Sequence, residues 1–202
     1  NMGIIYSSSP IFIILISYFF FREKMSLSRF VGILISSLGV VLIIIKADIN
    51  LLINLKFILG DLWMLGASIG WAMYTIYLFY WKSALPLLER FTLISMFGAI
   101  SLLPFFLFEN LFFFETKYDL HFLAWVSFAA VSPSIIAFLL FNYVNNKLGA
   151  SITGSVLYLY TVYGALYGFL FFNEKLEFYH LIGSTMVFVG IYLIKRINKK
   201  KT

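Results

Sequence analysis

The sequence predicts an all-α integral membrane protein with about seven transmembrane helices. Apolar residues make up 62% of the 202 residues, charged residues only 12%, and the mean hydropathy is +0.95. Such a composition is implausible for a soluble domain of this length. Two further observations support the class: the apolar residues fall into long runs, and the charged residues collect between those runs.

Seven apolar runs are long enough to cross about 30 Å of hydrocarbon at about 1.5 Å per residue. They are roughly Met2 to Phe21, Phe30 to Ile45, Leu62 to Trp81, Phe91 to Phe108, Phe122 to Val144, Leu148 to Phe172 and Phe178 to Ile194.

Two of these runs, the second and the last, are short. Both are kept as spans because long basic side chains at their ends can reach the headgroups: Arg29, Lys46, His180 and Lys195. The segments Ile49 to Leu59 and Leu111 to Phe114 are too short to cross, so we expect them in the interface. Asp61, at the start of the third span, is expected to be an N-cap.

The distribution of basic residues predicts the orientation. Eleven Lys and Arg residues follow the first, third, fifth and seventh spans, and four lie on the opposite side. Basic residues favour the cytoplasmic side. We therefore expect a multi-pass protein of the inner cell membrane, with a cytoplasmic C-terminus.

One element occurs twice, 151 residues apart. Aligned without a gap, residues 3–46 and 154–197 give 10 identities in 44 pairs. The first-copy residues that match are Gly3, Leu15, Phe20, Phe21, Glu23, Lys24, Gly32, Gly39, Leu42 and Ile43. Because an odd number of spans separates the copies, the second must be inverted in the membrane. Inverted repeats are typical of secondary transporters.

The repeated residues carry a resemblance to a known family. The stretches SSSPIFIILISYFFFREKMSLSRFVGILISSLGVVLI, GDLWMLGASIGWAMYTIY and LGASITGSVLYLYTVYGALYGFLFFNEKLEFYHLIGSTMVFVGIYLI resemble the EamA family of the drug/metabolite transporter superfamily. The resemblance implies a ten-helix inverted-repeat transporter fold with both termini in the cytoplasm, which exports or exchanges small metabolites.

By this resemblance the chain represents spans four to ten. Residues 1–46 are the end of the first repeat, 60–197 are the second repeat, and 198–202 are a basic cytoplasmic tail. Asn1 lies directly in an apolar run without a charged leader, so we expect the natural start upstream and no transport by these 202 residues alone. Thr161 stands where the family's second half usually has a proline, opposite Pro10, so a milder helix break, or none, is expected there.

Small residues recur at helical spacing within three spans. Because small residues allow helices to approach closely in lipid, we interpret them as packing positions. They are Gly32, Gly39, Gly164, Gly168, Gly183 and Gly190.

The doubled Glu-Lys turn has two interpretations. Glu23 with Lys24, and Glu174 with Lys175, each end a span at the interface. One interpretation is an ion pair or turn at a helix end. The other is a gate that opens and closes on alternate sides, which the inverted placement favours.

Residues that interrupt or line the spans are substrate-lining candidates. Proline inside a span removes a backbone hydrogen bond, so freed carbonyls and nearby hydroxyls either face a polar cavity or bond within their own helix. Ser132, Pro133 and Ser134 repeat this pattern. Aromatic side chains with polar tips are the other group, with helix packing as the alternative. The candidates are Ser7, Ser8, Ser9, Pro10, Trp71, Tyr74, Thr75, Tyr160, Thr161, Tyr163 and Tyr167.

Several functions are disfavoured by what the sequence lacks. It contains no cysteine and only two distant histidines, which leaves no obvious metal site, and no cofactor is expected. A membrane-embedded enzyme would need nucleophiles, carboxylates or metal ligands that converge at membrane depth, and the sequence places none there. A retinal protein needs a lysine in the middle of its last span, whereas Lys195 lies at the end. The basic charges sit in loops, so nucleic acid is not expected as a partner.

We therefore expect a secondary transporter of small metabolites or drugs, working by export or exchange through alternating access. No Asp, Glu, Lys, Arg or His lies in the middle of a span, although such residues usually mark proton and ion pathways. The expected partners are the lipid bilayer and a neutral, zwitterionic or weakly cationic metabolite; a homodimer is left open. The alternative is a non-transporting membrane fragment or assembly subunit.

Overall fold

The computed structural model describes residues 2–23, 25–81, 83–112 and 118–195. Lys24 and the tail at 198–202 therefore lie outside the described residues. All regular secondary structure in the described residues is helical, which confirms the predicted class. Seven helical segments are long and apolar enough to cross a membrane.

The spans follow one another in the predicted order. Four of them are single uninterrupted α-helices, and three are interrupted: the first at Ser8, the fifth by a π-helical segment and the sixth by a 3₁₀ turn. Their helices are α1 (Met2–Ser7) with α2 (Ser9–Phe21), α3 (Leu27–Ile44), α5 (Leu59–Tyr80), α6 (Leu87–Phe112), α7 (Leu120–Ala129) with α8 (Ala137–Leu148), α9 (Ala150–Ser155) with α10 (Leu159–Phe172), and α11 (Phe178–Lys195). A short helix, α4 (Ile49–Ile53), lies between α3 and α5.

Three local predictions need correction. Helix α3 begins before Phe30, because Ser26 caps it by accepting a hydrogen bond from the Arg29 N–H at 3.3 Å. Helix α6 continues to Phe112, so Leu111 belongs to a span and not to a separate interfacial segment. Asp61 is not the N-cap residue: it lies inside the first turn of α5, where its carboxylate accepts the Ile58 N–H at 2.9 Å.

The described helices form two compact units. The smaller comprises residues 81–147. Within it, a π-helical segment, Ala130–Ile136, joins α7 to α8 and contains Pro133. The Ser134 hydroxyl donates to the Ala129 carbonyl at 2.9 Å, a bond within its own span. Proline lacks the N–H that an α-helix needs, so a wider turn here accommodates it.

The larger unit, residues 1–80 and 148–202, is centred on the packing of α3 against α11. A Cβ added at Gly32 would lie 2.6 Å from the Gly190 carbonyl oxygen, and one at Gly39 would lie 2.6 Å from that of Gly183. The backbones are therefore in direct contact, as small residues permit in membranes. Because Gly32 meets Gly190 while Gly39 meets Gly183, the two helices run antiparallel.

Hydrogen bonds along this crossing follow the same order. The Ser28 hydroxyl donates to the Leu193 carbonyl at 3.1 Å, and the Ser36 hydroxyl to the Val187 carbonyl at 3.4 Å. The start of α3 thus lies beside the end of α11. The turn that precedes α3 and the turn that precedes α11 consequently lie at opposite ends of the helix pair, as an inverted repeat requires.

Helix α2 packs between α5 and α9. Fully buried Ile13 contacts Ala72 and Ile76 of α5 together with Ala150 of α9. Gly149 precedes α9 with φ of 89°, a backbone conformation that residues with a side chain rarely adopt. A Cβ added at this glycine would lie 3.5 Å from the Phe79 ring. This glycine allows the chain to turn into α9 directly against α5.

The outer faces of the spans are apolar. Phenylalanines at the ends of α2 and α10 are largely exposed, with Phe20 80% and Phe172 77% accessible. Exposed phenylalanine of this extent is unfavourable in water but stable in hydrocarbon. These faces are where the protein contacts lipid.

Candidate functional site

The site with the most polar contacts surrounds Glu23, directly after α2. Arg22 has a left-handed conformation (φ 51°), and the N–H groups of both Arg22 and Glu23 donate to the Ser17 carbonyl, the latter at 3.1 Å. This turn ends α2 and directs the Glu23 side chain towards three other helices.

The Glu23 carboxylate uses both oxygens. Oε1 accepts from the Arg29 guanidinium at 2.7 Å. Oε2 accepts from the Ser151 hydroxyl at 2.8 Å and from the Tyr80 hydroxyl at 3.2 Å. We call these four residues the Glu23 cluster. It is mostly removed from solvent, since the side chains of Arg29 and Glu23 are 12% and 26% exposed.

Each member of the Glu23 cluster comes from a different helix or turn. Arg29 lies in the first turn of α3, Tyr80 is the last residue of α5, and Ser151 lies in the first turn of α9. The Tyr80 ring stacks on Phe21 with centroids 4.3 Å apart, which holds its hydroxyl near the carboxylate. A small cavity of about 10 Å³ adjoins Glu23, Arg29 and Ser151, enough for about one water molecule.

The second copy repeats the turn but not the cluster. Asn173 has the same left-handed conformation (φ 54°), and the Glu174 N–H donates to the Gly168 carbonyl at 3.2 Å. Within the described part of the chain, no ion pair or hydrogen bond of the Glu174 carboxylate is found; that carboxylate lies against Gly168. Lys24, the basic residue of the first turn, lies outside the described residues.

His180 occupies the position that Arg29 has in the first copy. Its Nδ1 accepts a hydrogen bond from the Glu177 N–H at 3.0 Å and so does not donate to Glu174. The centroid of its ring lies 4.2 Å from that of Tyr179. The two turns therefore share backbone geometry while their side chains make different contacts.

The hydroxyls near Pro10 are divided between two environments. Ser7 and Ser8 donate to the carbonyls of Ile4 and Ile5, at 2.7 and 2.5 Å, so they bond within their own helix. Ser9 is fully buried, and its hydroxyl has no hydrogen-bond partner among the described residues.

The sixth span changes helix type at the corresponding place although Thr161 replaces the proline. A 3₁₀ turn at Val156–Tyr158 joins α9 to α10, and Thr161 itself lies within α10. In the first span the interruption is the single residue Ser8, two positions before Pro10, whereas in the sixth it is the three-residue 3₁₀ turn, and α10 runs through Thr161 without a break.

The aromatic candidates lie in two separate places. Trp71 and Tyr74 of α5 are half-buried with ring centroids 5.5 Å apart, and the Thr75 hydroxyl donates to the Trp71 carbonyl at 2.8 Å. Tyr160, Tyr163 and Tyr167 form an exposed stripe along α10. Tyr160 contacts Tyr6 of α1 edge to face, with centroids 6.2 Å apart.

A groove between α10 and α11 has a volume of about 650 Å³. Its walls are mainly apolar, and Tyr163 is the aromatic candidate that lines it, together with Phe178, His180 and Ser184. This volume is in the range of small-molecule sites. Ser184 has no signal in the sequence, whereas His180 was detectable as the counterpart of Arg29.

The predicted packing glycines are distributed unequally. Four of the six lie at the α3–α11 crossing, as described above. Gly164 has open space around it, and Gly168 lies against the Glu174 side chain instead of a neighbouring helix. In the described ranges, no group of three or more His, Asp and Glu residues is placed to hold a metal ion.

Comparison with known proteins assigns the chain to a class. Residues 1–45 and 58–196 match the EamA-like transporter family. The chain is 28% identical to the uncharacterized transporter YetK of Bacillus subtilis over 98% of its own length and 60% of that protein. It is 23% identical to an uncharacterized transporter of Methanothermobacter thermautotrophicus, over 96% of its own length and 56% of that protein.

A third relative, an uncharacterized transporter of Archaeoglobus fulgidus, is 29% identical over 96% of this chain and 67% of its own length. The chain spans about 60% of the length of the curated relatives it matches. With its seven membrane-spanning helices and a family match that covers nearly all of its sequence, the chain belongs to the EamA-like transporter family.

Proposed function

We propose that this protein acts as a secondary transporter which exports or exchanges small metabolites or drugs by alternating access between two inverted repeats. The antiparallel α3–α11 crossing, with equivalent turns at its opposite ends, is the observation that supports it. Two equivalent elements of opposite orientation can exchange roles, so that a central site faces one side and then the other.

The proposed substrate is a neutral, zwitterionic or weakly cationic amphiphile. The aromatic side chains of α5 and α10 offer stacking and cation–π contacts, and the α10–α11 groove adds Glu177, His180 and Ser184 to a mainly apolar lining. No described lysine or arginine lines that groove. A polyanion such as a nucleotide sugar would lack a counter-charge there.

We predict that Trp71→Ala and Tyr163→Ala each lower the transport rate about five- to thirtyfold, the effect expected when one aromatic contact of about 1–2 kcal/mol is lost. The variants are made in the protein that includes the expected upstream spans, and uptake of labelled amphiphilic solutes into proteoliposomes measures the rate. Trp63→Ala and Tyr192→Ala are matched controls, because both residues are exposed and neither lines the groove.

Equal rates in all four variants would contradict a substrate-lining role for the aromatic residues. A well-folded protein that moves none of these solutes would favour the alternative, a non-transporting membrane fragment or assembly subunit.

The proposed location is the inner cell membrane, with the Glu23 turn and the C-terminus in the cytoplasm. We predict that Leu27→Cys is labelled by an impermeant thiol reagent only after permeabilisation, whereas Leu176→Cys is labelled in intact cells. Both leucines are exposed and lie at the two equivalent turns, and the sequence contains no natural cysteine. Labelling of both positions from one side would contradict the inverted topology.

A further inference from the structure

Glu23 connects the two repeats at one end of the α3–α11 pair. Arg29, which it contacts on one side, belongs to the first repeat, whereas Tyr80 and Ser151 belong to the second. These contacts join residues 57 and 128 positions apart in the sequence. The carboxylate therefore holds the ends of α5 and α9 against the turn between α2 and α3.

We propose that the Glu23 cluster is a lock that keeps this end of the transport pathway closed, and that the pathway opens there when Glu23 releases Ser151 and Tyr80. The inference rests on the proposed transport function and assigns one gate of that cycle to named residues. Glu23 and Arg29 stay together in the first repeat, while the hydroxyls of the second repeat separate from them.

The chemistry of the cluster suits a contact that must form and break. Hydrogen bonds to a carboxylate are stronger than those between neutral groups, and the surrounding low dielectric strengthens them further. Arg29 remains beside the carboxylate on the same repeat, so opening does not leave a buried charge without a counter-ion. The hydroxyls of Ser151 and Tyr80 are neutral, and water replaces their bonds at low cost.

Buried hydroxyls without partners lie on the helices that the lock joins. Ser9 and Ser17 of α2 and Thr153 of α9 are almost completely buried, and none of their hydroxyls has a hydrogen-bond partner among the described residues. Leaving a polar group in this state is unfavourable. Separation of α2 from α9 would admit water to these groups, so the closed arrangement carries a cost that opening relieves.

The second copy supplies the contrast. Glu174 stands at the equivalent position, yet the described residues give its carboxylate no ion pair or hydrogen bond, and histidine replaces arginine at position 180. Substitution of Glu23 thus removes a set of cross-repeat contacts, whereas the same substitution of Glu174 removes none that the described residues make.

The test measures the accessibility of Ser17→Cys, a small change at a buried position one helical turn and a half before Glu23. With a water-soluble thiol reagent added to permeabilised membranes, we expect E23Q to raise the labelling rate of this cysteine roughly tenfold, because one charge-assisted interaction is lost. E174Q is expected to leave the rate unchanged. Tyr80→Phe, which preserves the stacking on Phe21, is expected to give an intermediate increase.

Two further measurements separate opening from damage to the fold. The exchange Glu23→Arg with Arg29→Glu returns a carboxylate near Ser151 and is expected to restore much of the slow labelling. Ser36→Cys, at the α3–α11 crossing, is expected to stay unlabelled in every variant. An unchanged rate in E23Q and Tyr80→Phe, or an equal rise in E23Q and E174Q, overturns the lock.

The labelling requires no substrate, so it tests the lock independently of the proposed function. If E23Q raises the labelling rate of Ser17→Cys as expected but the protein transports no solute, the transport proposal is contradicted and the lock is not. Normal flux together with unchanged accessibility in E23Q would contradict the lock alone.

Discussion

Gly190→Leu is expected to remove most of the folded protein from the membrane. A side chain at this position would overlap the Ser36 hydroxyl and the Gly32 carbonyl, and its Cβ would lie 2.9 Å from the Ser36 backbone nitrogen. Two of these neighbours are backbone atoms, which cannot rotate away. The helices must therefore separate along their whole contact, at a cost of about 3 kcal/mol or more.

The amount of monodisperse protein after detergent extraction, and its thermal unfolding midpoint, measure this effect. Gly164→Leu is the matched control, because no atom lies within 4 Å of a Cβ at Gly164. Gly39→Leu is expected to be as harmful as Gly190→Leu, since these two positions correspond in the repeat. Similar yields for Gly190→Leu and Gly164→Leu would show that the α3–α11 crossing does not determine stability.

Ile13→Ala is expected to destabilise the protein by about 2–5 kcal/mol, the usual cost of truncating a fully buried isoleucine. Ile13 is 0% exposed and its Cδ1 would lie 2.6 Å from a Cβ at Gly154. Its removal leaves a cavity at the place where α2, α5 and α9 meet. Because the interior of a membrane protein is held together by packing, neighbouring helices lose contacts without a compensating gain.

Leu15→Ala provides the comparison for this cavity. Leucine and isoleucine are isomers, so both substitutions remove the same atoms, but Leu15 is 40% exposed on the outer face of α2. We expect Leu15→Ala to lower the free energy of unfolding by less than about 1 kcal/mol, the size usual for substitutions away from a packed core. Unfolding in mixed micelles with increasing denaturing detergent compares the two variants. Equal losses would mean that lipid contact, and not the junction of α2, α5 and α9, determines the effect at Ile13.

The Glu23 cluster combines a residue that the sequence singles out, Glu23, with two that it does not, Tyr80 and Ser151. Glu23 was identified by its recurrence at position 174, and both interpretations of it, helix end and gate, followed from its place after a span. Arg29 was assigned only to the membrane interface. Tyr80 and Ser151 had no role assigned, since a single tyrosine or serine at the end of an apolar helix resembles many others.

The aromatic candidates illustrate a second limit. Helical spacing placed Tyr160, Tyr163 and Tyr167 on one face of α10, and they do share that face, but spacing cannot say what the face contacts. In the structure Tyr160 meets Tyr6, and Tyr163 lines the groove beside α11. Gly164 and Gly168 on the same helix followed a small-residue pattern, yet neither lies at a helix crossing.

The sequence by itself determined the membrane class, the seven spans, the inverted repeat and the family. Each of these depends on properties that accumulate along a local stretch: the transfer free energy of about 20 apolar residues, the side on which basic residues lie, and the register of matching glycines. The tertiary structure decided that Gly32 meets Gly190, that Ile13 fills the junction of three helices, and that Glu23 bonds to Tyr80 and Ser151. These pairings depend on which helix faces lie together in three dimensions, and helical periodicity describes a face without identifying its partner.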